Sequence, residues 1–92
     1  MIKSFKHKGL KKFFDTGSTA GINASQKTKI SLRLAVLNNA AKIEDIDMPG
    51  FHLHPLTGNR LGVWSITVTG NWRITFELQD GDVFIVNYED YH

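Results

Sequence analysis

The chain has no cysteine. That single absence removes disulfides, thiolate metal sites and cysteine nucleophiles together, and it agrees with a reducing, cytoplasmic setting. There is also no apolar run near the ~18 residues needed to span a bilayer. Lys3, Lys6, Lys8, Lys11 and Lys12 interrupt the start of the chain, where a signal peptide would need an unbroken apolar stretch. No membrane association is expected. Proline is scarce, with only Pro49 and Pro55, so long regular elements are permitted on either side of that pair. At 92 residues there is room for one modest core and no second domain. Residues 1–92 are read as one unit, with a helical half at about 5–42 and a sheet half at about 51–92.

Acidic residues are nearly missing from the first half. Residues 1–42 carry eight lysines and one arginine against Asp15 alone, a balance of +8, whereas residues 43–92 carry Arg60 and Arg73 against eight acids, a balance of −6. A surface of the first kind attracts phosphate backbones and releases their counterions, giving salt-sensitive binding without base selectivity. The alternative use of the same lysines is to solubilise helices or to meet an acidic protein partner.

Residues 25–41 place Ile30, Leu34, Leu37 and Ala41 at spacings of four, three and four, the stripe of an amphipathic helix. Asn23 or Ser25 caps it, and Lys27, Lys29 and Arg33 are expected to face outward. A shorter helix is expected over residues 5–15, with Leu10, Phe13 and Phe14 turned inward. After Pro49-Gly50 the apolar period changes to two and β-branched and aromatic residues dominate. Strands are expected at 51–54, ended by Pro55, then at 62–69, 72–78 and 83–88, with turns at Gly70-Asn71 and Asp80-Gly81. Residues 2–5 are expected to add an edge strand. Short links make the neighbours antiparallel. Alternation puts Trp64, Ile66, Val68, Trp72, Ile74, Phe76 and Leu78 on one face, and Ser65, Thr67, Arg73, Thr75 and Glu77 on a second face expected to remain wet. The fold class is therefore α+β, two N-terminal helices packed on one face of a small twisted antiparallel sheet.

The candidate chemistry is concentrated at the end of the chain, in Asn87-Tyr88-Glu89-Asp90-Tyr91-His92. A histidine moves protons near neutral pH, because its ordinary pKa of about 6.5 leaves both forms accessible. Read as composition alone, such an ending is also what a solvated terminus looks like. Arg73 lies mid-strand on the polar face, where its guanidinium either holds two phosphate oxygens at once or pairs across strands with Glu77 or Glu89. His52 and His54, two apart on a strand, would share a side as metal ligands do. Two ligands do not make a site, however, and the remaining donors are Asp90 and His92. His54 is better used as a substrate contact or proton carrier, and His7 is expected at the surface. RNA scission needs only a base for the 2′-hydroxyl proton, a cation at the phosphate and an acid for the departing 5′-oxygen. His92, His54, Asp90 and Arg73 supply these groups, and Tyr91 supplies a ring on which a splayed base stacks.

The residues Leu53-His54-Pro55-Leu56, Gly58, Arg60, Gly62, Trp64-Ser65-Ile66-Thr67-Val68, Asn71-Trp72-Arg73-Ile74-Thr75-Phe76 and Asn87 to His92, together with the opening Met1 to Leu10, resemble the HigB toxins of the RelE/ParE superfamily. The resemblance covers essentially the whole chain and is loosest at the 25–41 helix. It implies a microbial RNase-like, RelE-type fold and a toxin of a type II toxin-antitoxin system. Such a toxin is an endonuclease that cuts mRNA in the A site of the 70S ribosome without a metal or other cofactor. It further implies a HigA-like helix-turn-helix antitoxin, with operator DNA bound only through that antitoxin. Matched position by position, His54, Asp90, Tyr91 and His92 fall at active-site positions, Arg73 at a phosphate-facing arginine and Asn71 at a contact near the base. The chain departs from its relatives at Thr57 and Thr69, where basic residues are common; Arg60 and Lys8 are candidates to supply that charge to the substrate. Two readings without catalysis remain beside the nuclease: a ParE-like toxin that acts by binding, and an interaction module for nucleic acid or an acidic protein.

Overall fold

The computed structural model describes residues 1–90. Its two helices are α1 (Lys8–Thr16) and α2 (Lys27–Asn39), and its strands are β1 (His54–Pro55), β2 (Trp64–Thr69), β3 (Trp72–Gln79) and β4 (Asp82–Asp90). The strands form one antiparallel sheet in the order β1-β2-β3-β4. None of the described helices is long and apolar enough to cross a membrane.

Helix α1 begins at a cap that composition did not suggest. The His7 side chain accepts from the Leu10 amide through Nδ1 at 2.9 Å, and its ring meets Tyr88 edge-on, so His7 is partly enclosed and not a surface residue. Burial holds its pKa below the ordinary value. At the other end Gly17 adopts φ 80° and its amide returns to the Phe13 carbonyl, the usual left-handed stop. Leu10 is buried, but Phe14 is left 38% exposed. Beside the first turn, a Cβ on Gly9 would stand 2.5 Å from the Gly21 carbonyl oxygen and 2.7 Å from the Gly21 Cα. Two backbones touch there, and only glycine fits.

Helix α2 buries Ile30, Leu34 and Leu37 as the spacing requires, but it is shorter than the stripe suggested. Its first turn is a separate 3-10 turn at Ala24–Gln26 with no side-chain cap, and at Ala40 the backbone has already become extended, so that Ala40 is buried and Ala41 exposed. Arg33 does not face outward. It is 7% exposed, with Nε donating to the Thr67 carbonyl at 2.7 Å, Nη1 to the Lys29 carbonyl at 3.2 Å, and its guanidinium 4.5 Å from the centre of the Phe51 ring. A guanidinium buried this way is satisfied by carbonyls and an aromatic face, and it ties α2 to the sheet.

The helix-facing side of the sheet supplies Ile66, Val68, Ile74, Phe76, Val83, Val86 and Tyr88 to the core. Asp80 and Gly81, both at positive φ, form the tight turn between β3 and β4. The strand expected at 51–54 is reduced to its last residue. Pro55 does not end it but belongs to it, opposite Trp64, which an edge strand tolerates. The expected N-terminal edge strand appears as two parallel bridges, Ile2 to Val83 and Phe5 to Val86.

Strand β4 carries a bulge. Thr75 pairs with Asn87 and Glu77 with Phe84, so Ile85 and Val86 together oppose Phe76, with Ile85 at φ 56°. Ser4 holds this bulge, its hydroxyl accepting from the Ile85 amide at 2.8 Å and its carbonyl from the Val86 amide at 3.1 Å. The extra residue resets the alternation, so that Val86 and Tyr88 turn to the core while Asn87 and Glu89 join Arg73 on the other face.

That other face is not wet throughout. Ser65 and Thr75 are 1% and 2% exposed. The connection from β1 to β2 includes a 3-10 turn at Gly58–Arg60, and it crosses the sheet far enough for Arg60 to reach Glu89 on β4.

Candidate active site

The polar face gathers its charge around one carboxylate. Arg60 grips Glu89 with two nitrogens, at 3.0 Å and 3.3 Å; Arg73 meets the same carboxylate through Nε and Nη2, both at 3.2 Å; and Asn87 adds an amide at 3.2 Å. Register explains the inner pair, since Arg73 and Glu89 are direct cross-strand partners. Two guanidinium groups thus share one carboxylate on a partly covered surface, where charges act on one another more strongly than in bulk water. Burial pushes the Glu89 carboxyl up, but the Arg60 hydrogen bond and the charges of Arg60 and Arg73 outweigh it, and the group ends below its ordinary value near 4.5. Its ionised form therefore contributes stability that is fully present above that value and is lost as pH falls through the lower, folded value. We expect Glu89→Gln to unfold more readily than the parent at pH 7, with the difference shrinking below pH ~4.5; equal urea midpoints at pH 7 would contradict this.

Beside Arg73 lies a cavity of about 240 Å³ lined by His54, Ser65, Thr67, Gly70, Asn71, Trp72 and Arg73. Three of the sequence candidates, His54, Asn71 and Arg73, thus meet in one depression. The His54 ring is oriented by its own backbone: Nδ1 lies 2.8 Å from the His52 carbonyl oxygen. A carbonyl only accepts, so Nδ1 carries the proton and the neutral ring keeps its lone pair on Nε2. His52 is turned for this by φ 49°, a left-handed conformation unusual for a side chain of its size. His52 also lies outside β1, so the strand alternation that would put His52 and His54 on one side does not apply there. Among the described residues no group of three or more potential ligands comes together as a metal site would require.

Of the other candidates, Arg60, Lys8 and Asp90 are not among the residues that line this cavity. Arg60 joins it indirectly through Glu89 and lines a second depression of about 220 Å³ with Lys6, Asn59, Thr75 and Asn87. Lys8 opens α1, exposed and not part of either lining. Asp90 is the last residue of β4, exposed and opposite Trp72, at the end of the cavity's wall and not in its lining. Its charge raises the Tyr88 phenol further, after burial has done most of that work. Tyr88 itself stacks on Trp72 with ring centres 4.5 Å apart and donates to the Gln26 side chain, which braces this end of the sheet against the helical half. Tyr91 and His92 lie outside the described residues.

Sequence reasoning missed two members of this face. On sequence Glu89 is only an alternative partner for Arg73, whereas in the fold it organises both arginines. Alternation makes Ser65 a solvated strand residue, whereas it forms part of the cavity lining. A signal for Glu89 existed in the parity of β4, but the apolar run Phe84-Ile85-Val86 conceals the bulge that sets it.

A family model described as the RelE-like toxin of the type II toxin-antitoxin system HigB matches residues 3–92. The endoribonuclease HigB of Proteus vulgaris is 52% identical over 92 residues, covering all of both chains. Among solved structures, a point mutant of YafQ from E. coli superposes with a TM-score of 0.65 at 17% identity, covering 98% of this chain and 91% of that one. A YoeB/ParE toxin from Agrobacterium tumefaciens does so with a TM-score of 0.60 at 14% identity and 96% coverage of each. At these identities the structural likeness establishes the fold, which is of the RelE type, and the family match and the curated relative establish the lineage. A toxin of this kind is one half of a pair and has an antitoxin partner. The chain belongs to the HigB family of RelE-like type II toxins.

Proposed function

We propose that this toxin is an endoribonuclease that cuts mRNA in the ribosomal A site, using side chains alone for the proton transfers. The observation that carries the reading is the cavity shared by a strand-borne arginine and a histidine whose Nδ1 is held by a backbone carbonyl. The name of the relative at 52% identity supports it. His54 Nε2 takes the proton of the substrate 2′-hydroxyl. The 2′-oxygen then attacks the adjacent phosphorus, the bond to the 5′-oxygen breaks, and His92 protonates that oxygen, leaving a 2′,3′-cyclic phosphate and a 5′-hydroxyl. Arg73 stabilises the charge that gathers on the phosphorane, which a guanidinium does without a metal ion. Asp90 supports the His92 imidazolium, Tyr91 stacks on the displaced base and Asn71 contacts it. Arg60 offers charge to a flanking phosphate, and Lys8 with the other helix lysines docks on ribosomal RNA. A HigA-like antitoxin neutralises the toxin, and operator DNA is engaged only through that partner.

The test uses purified toxin, translating ribosomes and an mRNA of known sequence. Cleavage within the A-site codon is expected on ribosomes and not on naked mRNA, and it should persist when Mg²⁺ is replaced by an exchange-inert hexammine complex. Removing His92 should abolish cleavage while leaving the circular dichroism spectrum unchanged. Intact mRNA with the parent protein, or undiminished cutting by the shortened one, would sink the reading.

A further inference from the structure

One group on the polar face has no part in the reaction just described. The Ser65 hydroxyl is, among the described residues, a buried side-chain oxygen with no hydrogen-bond partner, in a residue only 1% exposed. Buried hydroxyls are nearly always paired, because leaving water without compensation is unfavourable. Serine is also a poor choice for the middle of a β-sheet, where Val or Thr packs better. Burial and strand preference therefore both argue against serine at this position, unless something outside the chain completes it.

Its surroundings indicate what that is. Ser65 pairs directly with His54 on β1 and with Thr75 on β3, and one step along the sheet Thr67 pairs with Arg73. The hydroxyl thus belongs to the central strand of a cavity that has an imidazole on one wall and a guanidinium on the other. The chemistry that satisfies all three at once is an anionic oxygen cluster attached to a hydroxyl whose proton can be taken: a ribose 3′-phosphodiester.

Resting on the nuclease reading, we infer that Ser65 is a substrate contact whose Oγ–H donates to a non-bridging oxygen of the scissile phosphate, opposite the oxygens that Arg73 holds. The hydroxyl is covered, so the side chains around it part as the phosphate enters. Charge on the non-bridging oxygens grows as the 2′-oxygen bonds to phosphorus, so the bond strengthens toward the transition state and acts on the rate more than on docking. The unpaired hydroxyl is then a cost in stability accepted for catalysis.

Three variants and one binding probe decide the matter. In single-turnover cleavage of ribosome-bound mRNA, Ser65→Ala should be slower by about tenfold to a hundredfold, the range for losing a hydrogen bond to a charged group. Ribosome affinity should be unchanged and the melting temperature equal to the parent's or higher. Ser65→Thr, which keeps the hydroxyl, should recover most of the rate. The pH profile of Ser65→Ala should keep the parent's shape, since this hydroxyl does not titrate, whereas His54→Ala should change it. Independently of cleavage, a 2′-deoxydinucleotide that cannot be cut should bind the free parent protein more tightly than Ser65→Ala in a nuclear magnetic resonance titration. Parent-like cleavage and binding by Ser65→Ala would mean a hydrated hydroxyl only and would overturn the inference. A lowered melting temperature, with all the loss of rate explained by unfolding and parent-like probe binding by Ser65→Thr and Ser65→Ala alike, would overturn it too. If the parent itself fails to cut mRNA, the nuclease reading fails, and the dinucleotide titration alone decides whether Ser65 meets a phosphodiester.

Discussion

Arg73→Ala is expected to slow ribosome-dependent cleavage by about 10²- to 10³-fold, the usual loss when a preorganised donor to developing charge is removed. The expectation rests on where the guanidinium stands. It is 15% exposed, on a paired strand, and fixed through Nε and Nη2 by Glu89, so its direction is set before any substrate arrives. A donor already oriented need not reorganise as the reaction proceeds, and this gives it leverage on the barrier. The fold should survive the change. Glu89 keeps both hydrogen bonds to Arg60 and the one from Asn87, so no carboxylate is left buried and unpaired. Arg73→Lys separates charge from geometry: it keeps the positive charge and loses the planar fork, and it should recover only part of the rate. Arg60→Ala, which removes a group outside the His54 cavity, should cost less than Arg73→Ala. The measurement is single-turnover cleavage with circular dichroism as the control. A folded Arg73→Ala protein cutting at the parent rate would remove this arginine from the mechanism.

Gly9→Ala should destabilise the chain by about 1–3 kcal/mol, the cost of forcing an extra carbon into a packed contact. Helix propensity points the other way, since Ala is favoured over Gly inside a helix by up to ~1 kcal/mol. The contact decides the sign. The added carbon would lie 2.5 Å from the Gly21 carbonyl oxygen, and what it meets is backbone, which cannot rotate aside as a side-chain tip can. Either α1 lifts from the loop that carries Gly21 or the loop moves, and Leu10, fully buried one residue later, moves with it. Urea denaturation gives the test: a midpoint well below the parent's is expected, and an unchanged or higher midpoint would show that the two segments separate freely. Gly17→Ala provides a comparison of a different kind. Nothing stands within 4 Å of its missing Cβ, so any loss there comes from its φ of 80° alone.

Much of the architecture could be read from the chain because it depends on local periodicity. The stripe Ile30, Leu34 and Leu37 and the three long strands follow from which neighbours in sequence share a face, and Asp80-Gly81 follows from turn chemistry. What could not be read depends on partners distant in sequence. Arg33 looked like a solvent residue because the groups that accept its protons, the Thr67 carbonyl and the Phe51 ring, arrive from the other half of the chain. Thr75 looks wet on sequence because nothing local announces that the connection from β1 to β2 brings Asn59, Arg60 and Val63 beside it, and Ser65 because its burial depends on the strands on either side. At the candidate site, parity was enough to put Arg73 on the polar face. The approach of His54 depends on a left-handed residue two positions before it, and a histidine, though commoner than most residues at positive φ, adopts it too seldom for the sequence to announce it.

The grip of Ser4 on the β4 bulge has a consequence for the order in which the molecule can come into being. The hydrogen bond from Ile85 to Ser4 joins residues 81 positions apart, and Lys3 and Lys6 donate to carbonyls of the same strand. These particular hydrogen bonds of Lys3, Ser4 and Lys6 cannot form until β4 has been made and has cleared the exit tunnel. Only then does the bulge take its shape and turn Glu89 toward Arg60 and Arg73. A nascent chain, however far its helices have folded, therefore holds no assembled arginine cluster, and the polar face matures in one late step of long loop closure.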